Sequence, residues 1–380
     1  MTIFLNPGTE PAYQRAVRDL RTWGHNRQGL AVALVYGPVS AEDQLYHSKC
    51  PVEQRSVTAL AEALDEIGAH WAVLNPCEPG FIEELASYDV ALSNLHGPYG
   101  EDGRLQGLLD YLRVPYCGSG VSASAVAADK ILCKRVMLSL GVPTPGWSVW
   151  SGGPAAWTGR PVMVKPPFGG SSVGMSLVRE QADLGRALTD AAGATGDDVL
   201  VEEYVSGTPL TVGLLELPGG SVAIFPPLAT EANEAEFYDA DTKLDIDSHG
   251  TVAVRIADLA PEVLGEIAQQ VKTLWGGLGL RGSARIDFML TSAGRPYVLE
   301  VNSTPGMSRD SNFVVGAATL GFTHTDVVLA MLHEALARAP YDVPLPTPAF
   351  SSTTSTREAA VLRRSQPLCR ASTMCPCADS

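Results

Sequence analysis

The sequence predicts an α/β fold spread over more than one domain, and three observations carry that expectation. At 380 residues the chain is too long for one comfortable core, so two or three domains are expected. Across residues 31–94 strand-like runs alternate with helix-like ones, which implies a parallel sheet with functional loops at the carboxyl ends of its strands. Near the other end, the apolar runs 284–290 and 296–301 are joined by Thr291-Ser292-Ala293-Gly294-Arg295. Two strand-like runs with a Gly-containing connection read as a β-hairpin.

Composition narrows the class of protein. Hydrophobic residues make up 45% and charged ones 18%, the balance of a globular enzyme rather than a disordered chain. A formal net charge of −15 argues against nucleic acid and anionic membrane surfaces as partners. Small phosphorylated ligands stay compatible, because a few local Lys and Arg can bind phosphate in an acidic protein. The seven cysteines, Cys50, Cys77, Cys117, Cys133, Cys369, Cys375 and Cys377, are odd in number and read as free thiols of a reducing cytoplasm. No apolar run approaches the ~20 residues of a membrane span, and the N-terminus lacks a signal-peptide pattern.

In chain order, residues 1–29 are an N-terminal extension with one short helix over 11–23, where Ala12, Ala16, Leu20 and Trp23 share a face. Residues 31–36 are a strand. Residues 52–67 follow as a helix, striped by Val57, Leu60, Leu64 and Ile67 and stopped by Gly68. Strands are expected at 71–74 and 89–94, with a short helix at 81–86 between them. His96 lies just past the last of these, in the tight polar loop HGPYGEDGRLQG. A lone His in such a loop is more often packed or solvated than catalytic.

Gly118-Ser119-Gly120-Val121-Ser122-Ala123 formally fits the dinucleotide pattern G-x-G-x-x-A. The acidic residue expected about 20 positions later is missing, so a nicotinamide-dependent oxidoreductase is a distant alternative. Residues 122–140 read as one helix carrying Asp129-Lys130, ended by Gly141 and Pro143. A strand over 161–165 then leads into Pro166-Pro167-Phe168-Gly169-Gly170-Ser171-Ser172-Val173-Gly174. Gly and Ser in series expose backbone N–H groups and hydroxyls that can close over phosphate, with Lys165 neutralising charge. As a bare Gly/Ser loop, a hairpin tip is at least as good a reading; Lys130 and Lys165 tilt the balance toward phosphate. The strand at 199–205 carries Glu202, Glu203, Tyr204 and Val205, whose exposed backbone suits the edge of an adenine ring. A hairpin over 210–225 follows, then a polar loop ending at Lys243. Helices are expected at 261–275 and 325–338. From 341 to 380 Pro, Ser and Thr dominate, and a disordered tail is expected.

The richest stretch runs from Arg281 to Ser311, RGSARIDFMLTSAGRPYVLEVNSTPGMSRDS. Residues i and i+2 of a strand face the same way, so Glu300 and Asn302 project together, and strand pairing can bring Asp287 beside them. Two carboxylates and an amide oxygen form a hard-oxygen cluster of the kind that suits Mg²⁺. Strand-end polar residues that satisfy local backbone are the plainer reading. The convergence of three donors, with Arg285 on the same face, favours a metal and an anionic substrate. The turn that follows carries Gly306, whose N–H could serve an oxyanion.

The strings HGPYGEDGRLQG, VPYCGSGVSASAVAADK, VKPPFGGSSVGMS, VEEYVSG, ARIDFML and LEVNSTPGM, in that order, resemble the D-alanine–D-alanine ligase family of the ATP-grasp ligases over residues 30–338. The resemblance implies an ATP-grasp fold of three α/β domains: 30–118 for the first substrate, 119–202 as the central subdomain, and 203–340 as the C-terminal subdomain with the metal site. It implies ATP and two Mg²⁺ ions, or Mn²⁺ in their place, with Asp287, Glu300 and Asn302 as ligands. Lys130, Lys165, Ser171, Ser172, Glu202, Glu203, Tyr204, Val205, Lys243 and Met289 would form the nucleotide set. Glu42 and His96 would hold the first amino acid. Arg285 and Gly306 would stabilise the tetrahedral intermediate, and Ser311 with Asn312 would meet the second amino acid. The reaction implied is ligation of D-alanine to D-alanine through an acyl phosphate in the cytoplasm, for cell-wall peptidoglycan, with a homodimer as one possible assembly. Pro209, Leu244 and Asn312 depart from the family pattern. They keep open a relative that joins other amino or hydroxy acids, and an inactive ATP-binding module is a further alternative.

Overall fold

The computed structural model describes residues 2–5, 10–37, 39, 44, 51–52, 55–169, 174–195, 198–231 and 253–338. The chain opens with β1 (Ile3–Leu5) and α1 (Glu10–His25). Next come β2 (Ala31–Val35), α2 (Ser56–Ile67), β3 (His70–Leu74), α3 (Phe81–Leu85) and β4 (Val90–Ser93). The three strands pair in parallel in the order β3-β2-β4, as their alternation with helices requires. The α2 stripe of Leu60, Leu64 and Ile67 is buried, and the helix stops at Gly68 with φ 74°, a left-handed cap that a side chain would strain.

After α4 (Arg104–Leu112) the structure departs from the single helix expected over 122–140. It forms α5 (Val121–Ala128) and α6 (Lys130–Ser139), broken at Asp129. Asp129 takes an extended backbone, and its carboxylate accepts the N–H groups of Ile131 and Leu132 at 2.9 Å each. That N-cap satisfies two donors which a continuous helix would have bonded to carbonyls.

The central unit holds β5 (Trp147–Trp150), β6 (Val162–Lys165), β7 (Ser176–Val178), α7 (Gln181–Thr195) and β8 (Val199–Glu203). Its strands form an antiparallel sheet ordered β5-β8-β6-β7, packed on α7 through Leu184, Ala187, Leu188 and Ala191. The last unit holds β9 (Thr208–Leu217), β10 (Ser221–Ile224), β11 (Leu228–Glu231), β12 (Ala253–Ile256), α8 (Pro261–Leu278), β13 (Ser283–Leu290), β14 (Pro296–Asn302), α9 (Asn312–Ala318) and α10 (His324–Ala337). Strand β9 is the spine. Along one edge it pairs with β13; along the other, β10 and β11 share its length.

Within the stretch read as an extension, β1 contributes to this sheet. β1 lies parallel to β10, with Ile3 opposite Ser221 and Leu5 opposite Ala223. Arg21 of α1 grips Asp326 through two hydrogen bonds of 2.8 and 2.7 Å. One core joins Leu34, Leu60 and Leu92 of the parallel layer to Leu215, Phe225, Val328 and Leu332. That shared core sets the loop after β4 beside the turn after β14. Among the described residues no helix is long and apolar enough to cross a membrane, and Cys77, Cys117 and Cys133 are free thiols. The tail expected at 341–380 lies outside the described residues.

Candidate active site

The site grows from the β13–β14 hairpin. Ile286, Phe288 and Val298 are fully buried beneath it, so alternation turns Arg285, Asp287 and Met289 to the opposite, half-buried face. The antiparallel register sets Asp287 across from Glu300 and Arg285 across from Asn302. Between Asp287 and Phe288 the register slips, leaving Leu299 as the extra residue of a bulge, a device common beside active sites. On its other side Asp287 faces Thr211 of β9, whose hydroxyl donates to Asp287 Oδ1 at 2.5 Å.

Arg285 occupies the middle of this face. Its Nε donates to Asp287 at 3.0 and 3.2 Å and its Nη2 at 2.8 Å, while Nη2 stands 3.9 Å from Glu300 Oε1. Burial works to lower the guanidinium pKa, but Asp287, then Glu300 and Glu101, outweigh it and hold the charge in place. Asn302 Oδ1 accepts the Thr304 N–H at 2.8 Å, which leaves one of its lone pairs. No group of three or more His, Cys, Asp or Glu that could hold a metal occurs among the described residues. Two carboxylates and an amide oxygen do fit a Mg²⁺-type ion that draws its remaining ligands from water and phosphate.

The following turn is anchored from several directions. Asn94, at the end of β4, donates its side-chain N–H to the Pro305 carbonyl at 3.5 Å. His324 Nε2 bonds the Met307 carbonyl at 2.9 Å. A Cβ on Gly306 would stand 3.8 Å from that of Ser311, so these two sequence-predicted residues adjoin. Ser311 also caps α9, accepting the Val314 N–H at 3.3 Å, and Asn312 is the first residue of that helix. His96 Nδ1 lies 3.3 Å from Glu101 Oε1. The Glu101 charge adds, after those of Asp287 and Glu300, to what holds the Arg285 guanidinium charged.

Of the residues expected at the nucleotide, Lys130 begins α6, Lys165 ends β6, and Glu202 to Val205 lie at the end of β8 and just past it. Lys130 Nζ donates to the Gly169 carbonyl at 2.6 Å, at the root of the Gly-rich loop. Lys165 Nζ donates to Glu202 Oε2 at 2.5 Å. Glu203 bonds Gly146 through its N–H at 2.7 Å, Tyr204 bonds Pro161 at 3.1 Å, and Val205 lies just past the end of β8. Met289 pairs with Pro209 and Tyr297, on the face of Arg285 and Asp287. Glu42, Ser171, Ser172, Lys243 and Leu244 lie outside the described residues. A cleft of about 650 Å³ beside the loop root, lined by Asp129, Arg135, Trp150, Phe168 and Asp198 among others, contains none of the hairpin residues. Sequence reasoning missed Thr211, Thr144 and Lys134. For Lys134 a signal existed: Ile131, Lys134 and Met137 recur every three residues, and all three are buried.

The dinucleotide-like glycines serve packing instead. Gly118 has φ 93°, and a Cβ on Gly282 would sit 3.2 Å from its Cα. They allow two backbones to touch, and Gly120 starts α5 as its N-cap. The nicotinamide alternative falls with this geometry and with the family matches that follow.

A three-stranded parallel layer, a small antiparallel layer and a large sheet bearing an oxygen-lined hairpin define the class: an ATP-grasp ligase fold. It superimposes on the D-alanyl-alanine synthetase A from Vibrio cholerae O1 with TM-score 0.70 at 22% identity, covering 82% of this chain and 100% of that one. For the D-alanine–D-alanine ligase from Bacillus anthracis complexed with ATP the TM-score is 0.67 at 24% identity, covering 81% and 98%. Residues 32–119 match the family model for the D-ala D-ala ligase N-terminus, and 152–333 the model for its C-terminus. The D-alanine–D-alanine ligase of Anaeromyxobacter dehalogenans (strain 2CP-C) is 36% identical over 331 residues, 84% of this chain and 100% of that protein. The one from Synechococcus sp. (strain JA-2-3B'a(2-13)) is 35% identical over 292 residues, 74% and 87% respectively. The chain belongs to the D-alanine–D-alanine ligase family.

Proposed function

We propose that the protein joins two molecules of D-alanine at the expense of ATP, giving D-alanyl-D-alanine, ADP and phosphate. The observation that carries this reading is the register of the hairpin, which lines up Asp287, Glu300, Asn302 and Arg285 on one face in a chain of this family.

A carboxylate is a poor acyl donor because its oxygen is a poor leaving group. Transfer of the γ-phosphoryl to the first D-alanine makes an acyl phosphate. The amine of the second attacks it, and phosphate departs as the peptide bond forms. Asp287, Glu300 and Asn302 would hold two Mg²⁺ (or Mn²⁺), which when bound would offset the charge on the phosphoryl oxygens. Lys130 and Lys165 would meet the phosphates. Glu202, Glu203, Tyr204 and Val205 supply the adenine side with Met289, and Ser171, Ser172 and Lys243 would close over the nucleotide. The Arg285 guanidinium and the Gly306 N–H would receive the oxyanion of the tetrahedral intermediate. Glu42 and His96 would orient the first D-alanine, and Ser311 with Asn312 the carboxylate of the second.

The test is ADP release against a panel of D-amino and D-hydroxy acids. Turnover that requires D-alanine in both positions supports the proposal. Equal or faster turnover without D-alanine would replace it with ligation of a different acid, the outcome that Pro209 and Asn312 keep in view.

A further inference from the structure

Lys134 is 1% exposed, and so is Glu202. Its ammonium ion-pairs with Glu202 Oε1, while Glu202 Oε2 takes the Lys165 ammonium at 2.5 Å. Two lysines therefore share one buried carboxylate. Lys134 Nζ also donates to Thr144 Oγ1 at 2.5 Å, and that hydroxyl donates to the Val298 carbonyl of β14 at 2.7 Å. The Val298 N–H answers by donating to Pro143 at 2.9 Å. A continuous polar chain thus runs from Glu202 on β8, through Lys134 and Thr144, to the strand that carries Glu300 and Asn302.

Stability alone is a weak reason for such a group, since buried ion pairs are often no better than well-packed apolar residues. An apolar side chain at 134 would continue the stripe of Ile131 and Met137. The arrangement instead resembles a division of labour between two cations. Lys165 ends the strand that leads into the Gly-rich loop, whereas Lys134 is enclosed on every side. If Lys165 were the only counter-ion of Glu202, turning it toward a phosphate would strand a buried carboxylate.

We propose that Lys134 is a positioning residue for the nucleotide: it is the fixed counter-ion of Glu202, it frees Lys165 to meet the phosphates, and through Thr144 it locks the adenine side to the metal-bearing strand. This rests on the nucleotide assignment of Lys165 and Glu202 made above. The two partners shift in ways that pull apart: burial pushes the Glu202 pKa up, but Lys165 and Lys134 together bring it below the ordinary range, whereas burial lowers the Lys134 pKa against the pull of Glu202, so the geometry carries the assignment.

The experiment is steady-state kinetics on the full chain for Lys134→Met, Glu202→Gln and the double variant, with folding followed by thermal melting. Lys134→Met is expected to raise KM for ATP about tenfold or more, as loss of one partner of a buried charged pair does, with KM for D-alanine changed less than about twofold. In the double variant, removing the charge that needs the counter-ion should leave KM for ATP close to that of Glu202→Gln alone. If Lys134→Met keeps KM for ATP while Glu202→Gln raises it, Lys134 only packs, and the proposal is overturned with the nucleotide assignment intact. If neither changes it, the assignment of Glu202 to the nucleotide goes too. If Lys134→Met does not fold, Thr144→Val decides: it leaves both charges and cuts the tie to β14. A rise in KM for ATP of about threefold or more supports the proposal, and an unchanged value overturns it.

Discussion

Asp287 and Glu300 are direct cross-strand partners, yet the cation between them is Arg285, 2.8 Å from the first and 3.9 Å from the second. Two like charges placed opposite each other repel, so the pair needs a cation, and a guanidinium now supplies it. A divalent ion seated there would compete with Arg285 and turn it toward the substrate.

That competition gives a two-sided prediction. Arg285→Met is expected to tighten Mg²⁺ binding in the absence of substrates, because Asp287 is released. It is also expected to lower kcat by roughly 10²–10³-fold, the usual cost of removing a donor to a developing oxyanion. Calorimetric titration with Mg²⁺, set beside ADP-release kinetics, checks both halves. Weaker Mg²⁺ binding would rule out the competition.

Asp287→Asn is expected to reduce ATP-dependent turnover by at least about 100-fold, since the proposed Mg²⁺, whose positive charge would offset that of the phosphoryl oxygens, would lose a charged ligand. Stopped or slowed ADP release in a protein with a wild-type melting curve is the expected result. Full turnover would remove the metal role from the hairpin.

Thr211 makes no direct claim on a metal, but it orients Asp287 through a 2.5 Å hydrogen bond. Groups that orient ligands typically matter by about 10–100-fold in metal affinity or activity. Thr211→Val keeps the shape and drops the donor. The apparent Mg²⁺ requirement of turnover should rise within that range, while Thr211→Ser should restore most of it.

His324 predicts a pH dependence of stability. Burial lowers its pKa below the ordinary 6.5, with the Met307 bond opposing and Arg309 reinforcing the shift, and its buried Nδ1 has no hydrogen-bond partner among the described residues. The unfolded chain therefore takes up the proton first as pH falls. The contribution is complete above about pH 6.5 and shrinks below it, toward the lower folded value. Urea midpoints should decline over that window. His324→Gln, which can still donate to Met307, should flatten part of the decline, and His333, lowered by burial as well, keeps the rest.

Asp129→Ala is expected to cost about 1 kcal/mol, as N-cap loss generally does, and to loosen the start of α6 where Lys130 sits. Chemical denaturation measures the cost.

The sequence was most legible where periodicity and turn chemistry agree. The hairpin was visible because two apolar runs flank a Gly-containing turn, and α2 because its stripe ends at a glycine. The break at Asp129 was not, since helix-compatible residues continue on both sides, and only the extended backbone and the cap bonds at Asp129 reveal the interruption. β1 is three residues long, and its partner Ser221 lies more than 200 positions away; no local pattern encodes such a pairing. Lys134 escaped because a helical lysine ordinarily solvates a surface. Its counter-ion Glu202 belongs to β8, 68 positions along the chain, and only folding brings them together. The site stayed partly hidden for the same reason: the hairpin donors are local in sequence, whereas the groups that steady them come from β4, β9 and α10.

The parallel pairing of β1 with β10 matters to anyone who shortens the chain. Removing the first handful of residues would not trim slack. It would strip a row of hydrogen bonds from the largest sheet and uncover the backbone of 221–223. An exposed strand edge of that kind recruits strands from other molecules. The first sign of such a deletion would be self-association on a sizing column, well before any loss of turnover.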